Sequence, residues 1–147
     1  MQLKKAISAT VTGDDQKVGF RAMVMKQAIQ YNLAGIAQNE PDMIVRFKLQ
    51  GDGDRIDRAI VAIDQGTKRS MGVSVSLGPA AIEPGLDTFT IVDWTSTSRN
   101  ITNPYTLTFT LRTDGGKISP DEAKTTWHEI LQNTLKGDDL KKLGPLD

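Results

Sequence analysis

A loop between a predicted strand and a predicted helix carries the residues best suited to chemistry. From Val11 to Arg21 its sequence is Val-Thr-Gly-Asp-Asp-Gln-Lys-Val-Gly-Phe-Arg. Backbone amides at a helix N-terminus bind anions, because they lack partners within the helix and lie at the positive end of its dipole. Arg21 falls in the first helical turn, where its charge opposes that dipole at a cost of up to about 1 kcal/mol. A bound anion would offset this cost, so the loop and Arg21 together indicate an anion site.

The elements that must position this loop follow from the spacing of apolar residues. Alternation from Leu3 to Val11 predicts a strand, and apolar residues at helical spacing predict a helix from Phe20 to about Leu33. Two further strands are predicted from Gly35 to Asn39 and from Ile44 to Gln50, with the turn Glu40-Pro41-Asp42 between them. The loop therefore lies at the end of a strand and at the beginning of a helix.

The next two elements complete a recognisable order. Asp54 is placed to cap a second helix, whose apolar stripe contains Ile56, Ile60 and Ile63, and a fourth strand is predicted from Gly72 to Leu77. The order β-α-β-β-α-β predicts a ferredoxin-like sandwich of the α+β class, an antiparallel sheet with two helices on one face.

The rest of the chain adds elements to this sandwich. Strands are predicted from Leu86 to Trp94 and from Tyr105 to Leu111, with a polar loop from Thr95 to Pro104 between them. A capping box, Ser119-Pro120-Asp121-Glu122, predicts the start of a further helix. Trp94, Trp127 and Phe109 are expected in the core, and the last ten residues are expected to fray.

Composition excludes several classes of function. Lys and Arg total 18 and Asp and Glu total 18, so no net field attracts nucleic acid or an anionic membrane. The absence of cysteine removes disulfides, thiolate metal sites and cysteine nucleophiles, and the single histidine, His128, has no second ligand to share a metal. No apolar run is long enough to span a bilayer. We therefore expect a cytoplasmic protein without metal or cofactor.

Residues of the loop and of the following strand resemble the acylphosphatase family. The signature of that family is matched in spacing by Val11, Gly13, Gln16, Val18, Gly19, Phe20 and Arg21. The similarity continues at Ala28, Leu33, Gly35, Asn39, Pro41, Asp42, Val45 and Gly51. By element order it extends to about Val92. We therefore expect an acylphosphatase-like domain at residues 1–94 and a C-terminal strand-helix extension, packed on the same domain, at residues 95–147.

The resemblance implies a hydrolase that cleaves the carboxyl-phosphate bond of small acyl phosphates by in-line attack of water, without a metal. It implies that Arg21 and Asn39 are catalytic. It further implies that acyl phosphate or inorganic phosphate is bound by Asp15, Gln16, Lys17, Val18, Gly19, Phe20 and Arg21. A guanidinium fork fits phosphate oxygens, and an asparagine amide, both donor and acceptor, is suited to hold the attacking water.

Two loop residues depart from the family pattern and leave a second function open. Asp15 stands where the family has a hydrophobic residue, and Lys17 where it has the second loop glycine. A carboxylate near the anion opposes its binding, and lysine lacks the freedom of glycine to adopt positive φ. The alternative function is a non-catalytic ferredoxin-like module that binds phosphate, another anion or a partner protein.

Overall fold

Ten elements of secondary structure make up the described part of a computed structural model, which covers residues 4–12, 19–42, 44–67 and 74–144. The first nine helices and strands follow one another in the α+β order that the sequence predicts, and the tenth, a short C-terminal helix, is not predicted. Their bounds are β1 Lys4–Thr12, α1 Phe20–Tyr31, β2 Ala34–Glu40, β3 Ile44–Asp52, α2 Gly53–Thr67, β4 Ser74–Pro79, β5 Thr88–Ser96, β6 Ile101–Thr110, α3 Pro120–Thr134 and α4 Asp138–Lys141.

The six strands form one sheet in the order β4-β1-β3-β2-β5-β6. The strands of the predicted β-α-β-β-α-β unit pair antiparallel, as expected. The sheet as a whole is mixed rather than antiparallel, because β5 lies parallel to β2, with Gly35 beside Phe89 and Ala37 beside Ile91. This direction follows from the chain path. The connection from β4 leads to β5 at the same end of the sheet at which β4 finishes, so β5 runs opposite to β4, as β2 also does.

The connection from β4 to β5 crosses the sheet and is bonded to β3 on the way. Gln50 Nε2 donates to the carbonyl of Glu83 at 2.9 Å, and Glu83 N donates to Gln50 Oε1 at 2.7 Å. Lys48 Nζ lies 2.9 Å from the Glu83 carboxylate. A buried polar side chain is tolerated when it is hydrogen-bonded, which explains why Gln50 is only 5% exposed. These bonds fix the point at which β5 enters the sheet.

The helices α1, α2 and α3 cover the sheet and enclose one apolar core with it. Phe47 and Leu49 of β3 and Phe89 and Ile91 of β5 are buried in this core. The three aromatic residues predicted to be core, Trp94, Trp127 and Phe109, are buried as expected. The rings of Trp94 and Trp127 meet edge to face with centroids 6.0 Å apart, a favoured geometry that joins β5 to α3.

One of the two predicted helix caps is confirmed and one is wrong. Ser119 Oγ accepts a hydrogen bond from Glu122 N at 3.1 Å, and both halves of the predicted capping box are present at the start of α3. At the start of α2 the capping carboxylate is Asp52, which accepts from Arg55 N at 3.0 Å, rather than Asp54. Because β3 continues to Asp52, α2 begins directly after it and Asp54 lies within the helix.

Two expectations for the C-terminal third are also corrected. The segment expected to be a loop up to Pro104 already belongs to β6 from Ile101 onward, and an edge strand tolerates a proline because one side needs no ladder partner. The end expected to fray contains α4. Asp139 anchors this helix, because it is buried and accepts from Tyr105 Oη at 2.6 Å and Asn103 Nδ2 at 3.1 Å.

The anchor of α4 makes a pH-dependent contribution to stability. Hydrogen bonds from Tyr105 and Asn103 lower the pKa of Asp139. Ionised Asp139 therefore stabilises the folded protein. This stabilisation is complete above the pKa of an unfolded aspartate, about 3.9, and it is lost as the pH falls through the lower pKa of Asp139 in the folded state. Asp139→Asn is therefore expected to destabilise the protein at pH 7, with a smaller difference from wild type below about pH 4. Urea denaturation of both proteins at the two pH values measures this; an equal difference at both would contradict it.

Candidate active site

The first turn of α1 presents backbone amides without a competing side-chain cap. Gly19 precedes the helix with φ 69°, a left-handed conformation that glycine adopts without steric cost, and its carbonyl accepts from Met23 N at 3.1 Å. In the described residues no side chain caps this helix and its first turn contains no acidic residue. The amides of Gly19, Phe20, Arg21 and Ala22 precede this first helical hydrogen bond and therefore have no acceptor within the helix. Asp15, Gln16, Lys17 and Val18 lie outside the described residues.

Arg21 is buried and is held by the backbone of β5. Its side chain is only 7% exposed, and Nη1 donates to the carbonyls of Val92 and Asp93, each at 2.9 Å. A guanidinium has five N–H donors in a rigid plane, two of them on Nη1. The two bonds use both of these, and they leave the Nε and Nη2 edge of the fork for other partners. This edge has the geometry for bidentate binding of an oxyanion.

The charge of Arg21 is balanced by the acceptors around it. Burial lowers the pKa of its guanidinium, and the nearby carboxylate of Asp93 acts in the opposite direction. Arginine remains protonated in proteins, so the group is a buried cation at neutral pH. Two carbonyl dipoles and one carboxylate stabilise this cation. They offset part of the unfavourable interaction between its charge and the dipole of α1.

The two carbonyls come from a bulge in β5. Ile91 pairs with Leu107 and Trp94 pairs with Tyr105. Two residues of β5, Val92 and Asp93, therefore lie between these pairs, opposite a single residue of β6. Asp93 lies in this bulge with φ 54°, a left-handed conformation that aspartate tolerates better than most residues. This part of the site is not predicted from the sequence. The sequence does contain an indication of the bulge, because the alternation of apolar residues is interrupted. The buried residues Phe89 and Ile91 are followed by Trp94 rather than by an apolar residue at position 93.

Asn39 lies near the end of β2 with its side chain exposed. Strands alternate faces, so Asn39 shares the face of the buried Ala37, the face that α1 covers. Ala37 pairs with Ile91 in β5, and both Asn39 and Asp93 lie two residues further toward the same end of the sheet. Within the part of the chain that the structure describes, the side-chain amide of Asn39 makes no hydrogen bond, whereas its backbone pairs with Val45 of β3. The fold thus brings Arg21 and Asn39 to one end of two neighbouring strands.

Other features of the described residues are less suited to an anion. A cavity of about 390 Å³ between α2 and β4 is lined mainly by apolar side chains such as Ile60 and Leu77, together with the carboxylate of Asp64. Across the described ranges no group of three or more histidine, aspartate or glutamate residues is placed to hold a metal ion. None of the helices in those ranges is both long and apolar enough to cross a bilayer.

The mixed sheet, its covering helices and the buried Arg21 in the first turn of α1 define an α+β sandwich, and comparison with known proteins identifies the family. The Acylphosphatase family model matches residues 7–91, more than half of the chain. An acylphosphatase from Chlorobaculum tepidum is 33% identical over 89 residues, which cover 60% of this chain and 97% of that protein. One from Methanocella arvoryzae is 37% identical over 62 residues, 42% of this chain and 70% of that protein. The chain belongs to the acylphosphatase family.

Solved structures agree with this assignment. An acylphosphatase from Coxiella burnetii is similar with a TM-score of 0.51 and 25% identity, covering 60% of this chain and 92% of that one. Full-length HypF, in its phosphate- and nucleotide-bound form, is similar with a TM-score of 0.53 and 21% identity, covering 73% of this chain and 14% of that one. At that identity the likeness to HypF shows the fold alone. Membership of a family of acyl phosphate hydrolases favours the enzyme over the non-catalytic module.

Proposed function

We propose that this chain hydrolyses the carboxyl-phosphate bond of small acyl phosphates and that Arg21 and Asn39 are its catalytic residues. The observation that carries the assignment of Arg21 is its fixed guanidinium: the side chain is 7% exposed and both hydrogens of Nη1 are bonded to β5 carbonyls. A donor fixed in advance stabilises developing charge without reorganising during the reaction. Family membership supports the reaction class.

The phosphate is proposed to lie between the loop and Arg21. We expect the backbone amides of Asp15 to Phe20 to bind its oxygens, as the family resemblance implies, and the Nε and Nη2 edge of Arg21 to bind two of them. The carboxylate of Asp93 lies near this cation and repels a dianion, so the phosphate is expected on the side of the guanidinium away from β5. The acyl group then points out of the loop toward solvent.

Asn39 is proposed to orient the water. Its amide accepts a hydrogen bond from water through Oδ1 and donates to a phosphate oxygen through Nδ2. The water oxygen forms a bond to phosphorus as the bond from phosphorus to the acyl oxygen breaks. The carboxylate leaves with the electron pair, and the proton of the water passes to solvent or to the phosphate product. A carboxylate is a good leaving group, so positioning and charge stabilisation suffice.

Hydrolysis of benzoyl phosphate, followed by the loss of its ultraviolet absorbance, tests the function. Wild-type protein is expected to turn over this substrate equally well before and after treatment with a metal chelator. Inorganic phosphate, the product, is expected to inhibit competitively. Phosphate binding without turnover would favour the non-catalytic module instead, and loss of turnover on chelation would contradict the metal-independent mechanism. A cytoplasmic location and the division at residues 94 and 95 stay predictions.

A further inference from the structure

We propose that the β5 bulge at Asp93 is a positioning element for Arg21, and that the C-terminal elements β6 and α3 hold this bulge in place. The inference rests on the proposed function, since it assigns a role to the groups that orient Arg21. It adds residues that the family model, which ends at residue 91, does not include.

The geometry of Arg21 depends on the bulge. In a regular strand successive carbonyls point to opposite sides, so one nitrogen cannot donate hydrogen bonds to two neighbouring carbonyls of that strand. Nη1 of Arg21 donates to two consecutive carbonyls, those of Val92 and Asp93, both at 2.9 Å. The left-handed φ of 54° at Asp93 breaks the alternation and turns both carbonyls toward α1. The bulge therefore holds Arg21 through Nη1 and leaves Nε and Nη2 without a hydrogen-bond partner on β5.

The bulge is held on both of its sides by β6. Ile91 pairs with Leu107 before the bulge, and Trp94 pairs with Tyr105 after it. The ring of Trp94 packs edge to face on Trp127 of α3 at 6.0 Å, and both rings are buried. A shift of the bulge would therefore require a change in the register of β6 or in the core. Elements beyond the family model thus restrain the orientation of a catalytic arginine.

The residue type at position 93 determines how readily the backbone adopts the left-handed conformation of the bulge. Asp93 is exposed, and aspartate is one of the few residues other than glycine that adopt left-handed φ routinely. Glycine at this position preserves the bulge, whereas alanine disfavours it. The pair Asp93→Gly and Asp93→Ala differs by one Cβ atom, and it separates the backbone conformation from the loss of the carboxylate.

The experiment compares kcat/KM for benzoyl phosphate and the dissociation constant of inorganic phosphate among these variants. Asp93→Ala is expected to lower kcat/KM about tenfold and to weaken phosphate binding, since a shift of a catalytic group by an ångström or less has effects of this size. Asp93→Gly, which lacks the carboxylate just as Asp93→Ala does, is expected to retain at least about threefold more kcat/KM than Asp93→Ala, because glycine retains left-handed φ. Asn100→Ala is the matched control: Asn100 also has left-handed φ, at 55°, but lies in the turn after β5.

A double-mutant cycle distinguishes positioning from a general loss of stability. In the Arg21→Ala background, Asp93→Ala is expected to have less than about a twofold further effect on residual activity, because the group that it positions is absent. Equal effects of Asp93→Ala in both backgrounds, or wild-type kcat/KM in folded Asp93→Ala, would overturn the inference. If Asp93→Ala does not fold, Asp93→Ser replaces it in the same comparison.

The failure of the inference and of the proposed function are distinguishable. Full activity in Arg21→Ala would reject the catalytic role of Arg21, whatever the Asp93 variants do. Loss of activity in Arg21→Ala with wild-type behaviour in Asp93→Ala would reject only the positioning role of the bulge.

Discussion

Arg21→Ala is expected to lower kcat for benzoyl phosphate by about 100-fold to 1000-fold, which is the usual effect of removing one fixed donor from a developing oxyanion. Binding of inorganic phosphate is expected to weaken as well, because the guanidinium supplies a charged, bidentate donor in the first turn of α1. Turnover and isothermal titration with phosphate measure the two effects. Unchanged turnover in a folded variant would remove Arg21 from the mechanism.

Stability must be measured alongside activity for this variant, because Arg21 also has a structural role. Its removal breaks the part-buried hydrogen bonds to the carbonyls of Val92 and Asp93, at a cost of about 1 kcal/mol for each bond, the usual net contribution of a hydrogen bond. Arg112→Ala is the matched control. Arg112 likewise donates to backbone carbonyls, those of Ile29 and Gly116, but it follows β6 and has no proposed part in the reaction. We expect this control to be destabilised with kcat unchanged.

Asn39→Ala is expected to lower kcat by about 100-fold, the scale of effect that follows when a reacting group loses its orientation. The side chain is exposed, so the free energy of unfolding is expected to change by less than about 0.5 kcal/mol. Loss of activity without loss of stability would identify Asn39 as a functional residue. Stopped-flow turnover at saturating benzoyl phosphate, together with urea denaturation, provides both values.

Two further variants sharpen the test of Asn39. Asn39→Asp keeps the shape of the side chain but replaces its donors with negative charge, so phosphate binding is expected to weaken in addition to the loss in kcat. Gln38→Ala is the control. Gln38 is the preceding residue of β2, and its amide donates to Glu40 Oε1 at 2.9 Å on the opposite face. Wild-type kcat in Asn39→Ala, or an equal loss in Gln38→Ala, would contradict the assignment.

The elements of the first half could be predicted because each has a strong local signal. Alternation in β1 and β3 and helical spacing in α1 depend on residues close together in the sequence. The capping box at Ser119 is equally local, and it predicts the start of α3 correctly. The errors occur where a tertiary contact decides the outcome. Asp52 rather than Asp54 caps α2 because pairing with β1 extends β3 to Asp52, and α4 forms because Asp139 meets Tyr105 of β6.

Arg21 shows where prediction of the site reaches its limit. Its place in the first turn of a helix can be read from residues near it in the sequence. Its acceptors, Val92 and Asp93, are more than 70 positions away, and they reach it only because β5 inserts parallel to β2. Hydrogen-bond partners at such separation have no local signal. The change of phase between Ile91 and Trp94 indicates a bulge, but not which side chain the bulge would meet.

The sequence by itself therefore determined the position of Arg21 in the first turn of α1, the choice of Arg21 and Asn39 as candidates and the order of elements as far as α3, because spacing and residue type carry this information locally. Only the tertiary structure decided that Arg21 is a buried cation held by two carbonyls. The physical reason is that burial and hydrogen bonding depend on which strands become neighbours, and that is settled by packing of the whole chain. The C-terminal strand and helix, which had no predicted role, lie against the bulge that holds this arginine.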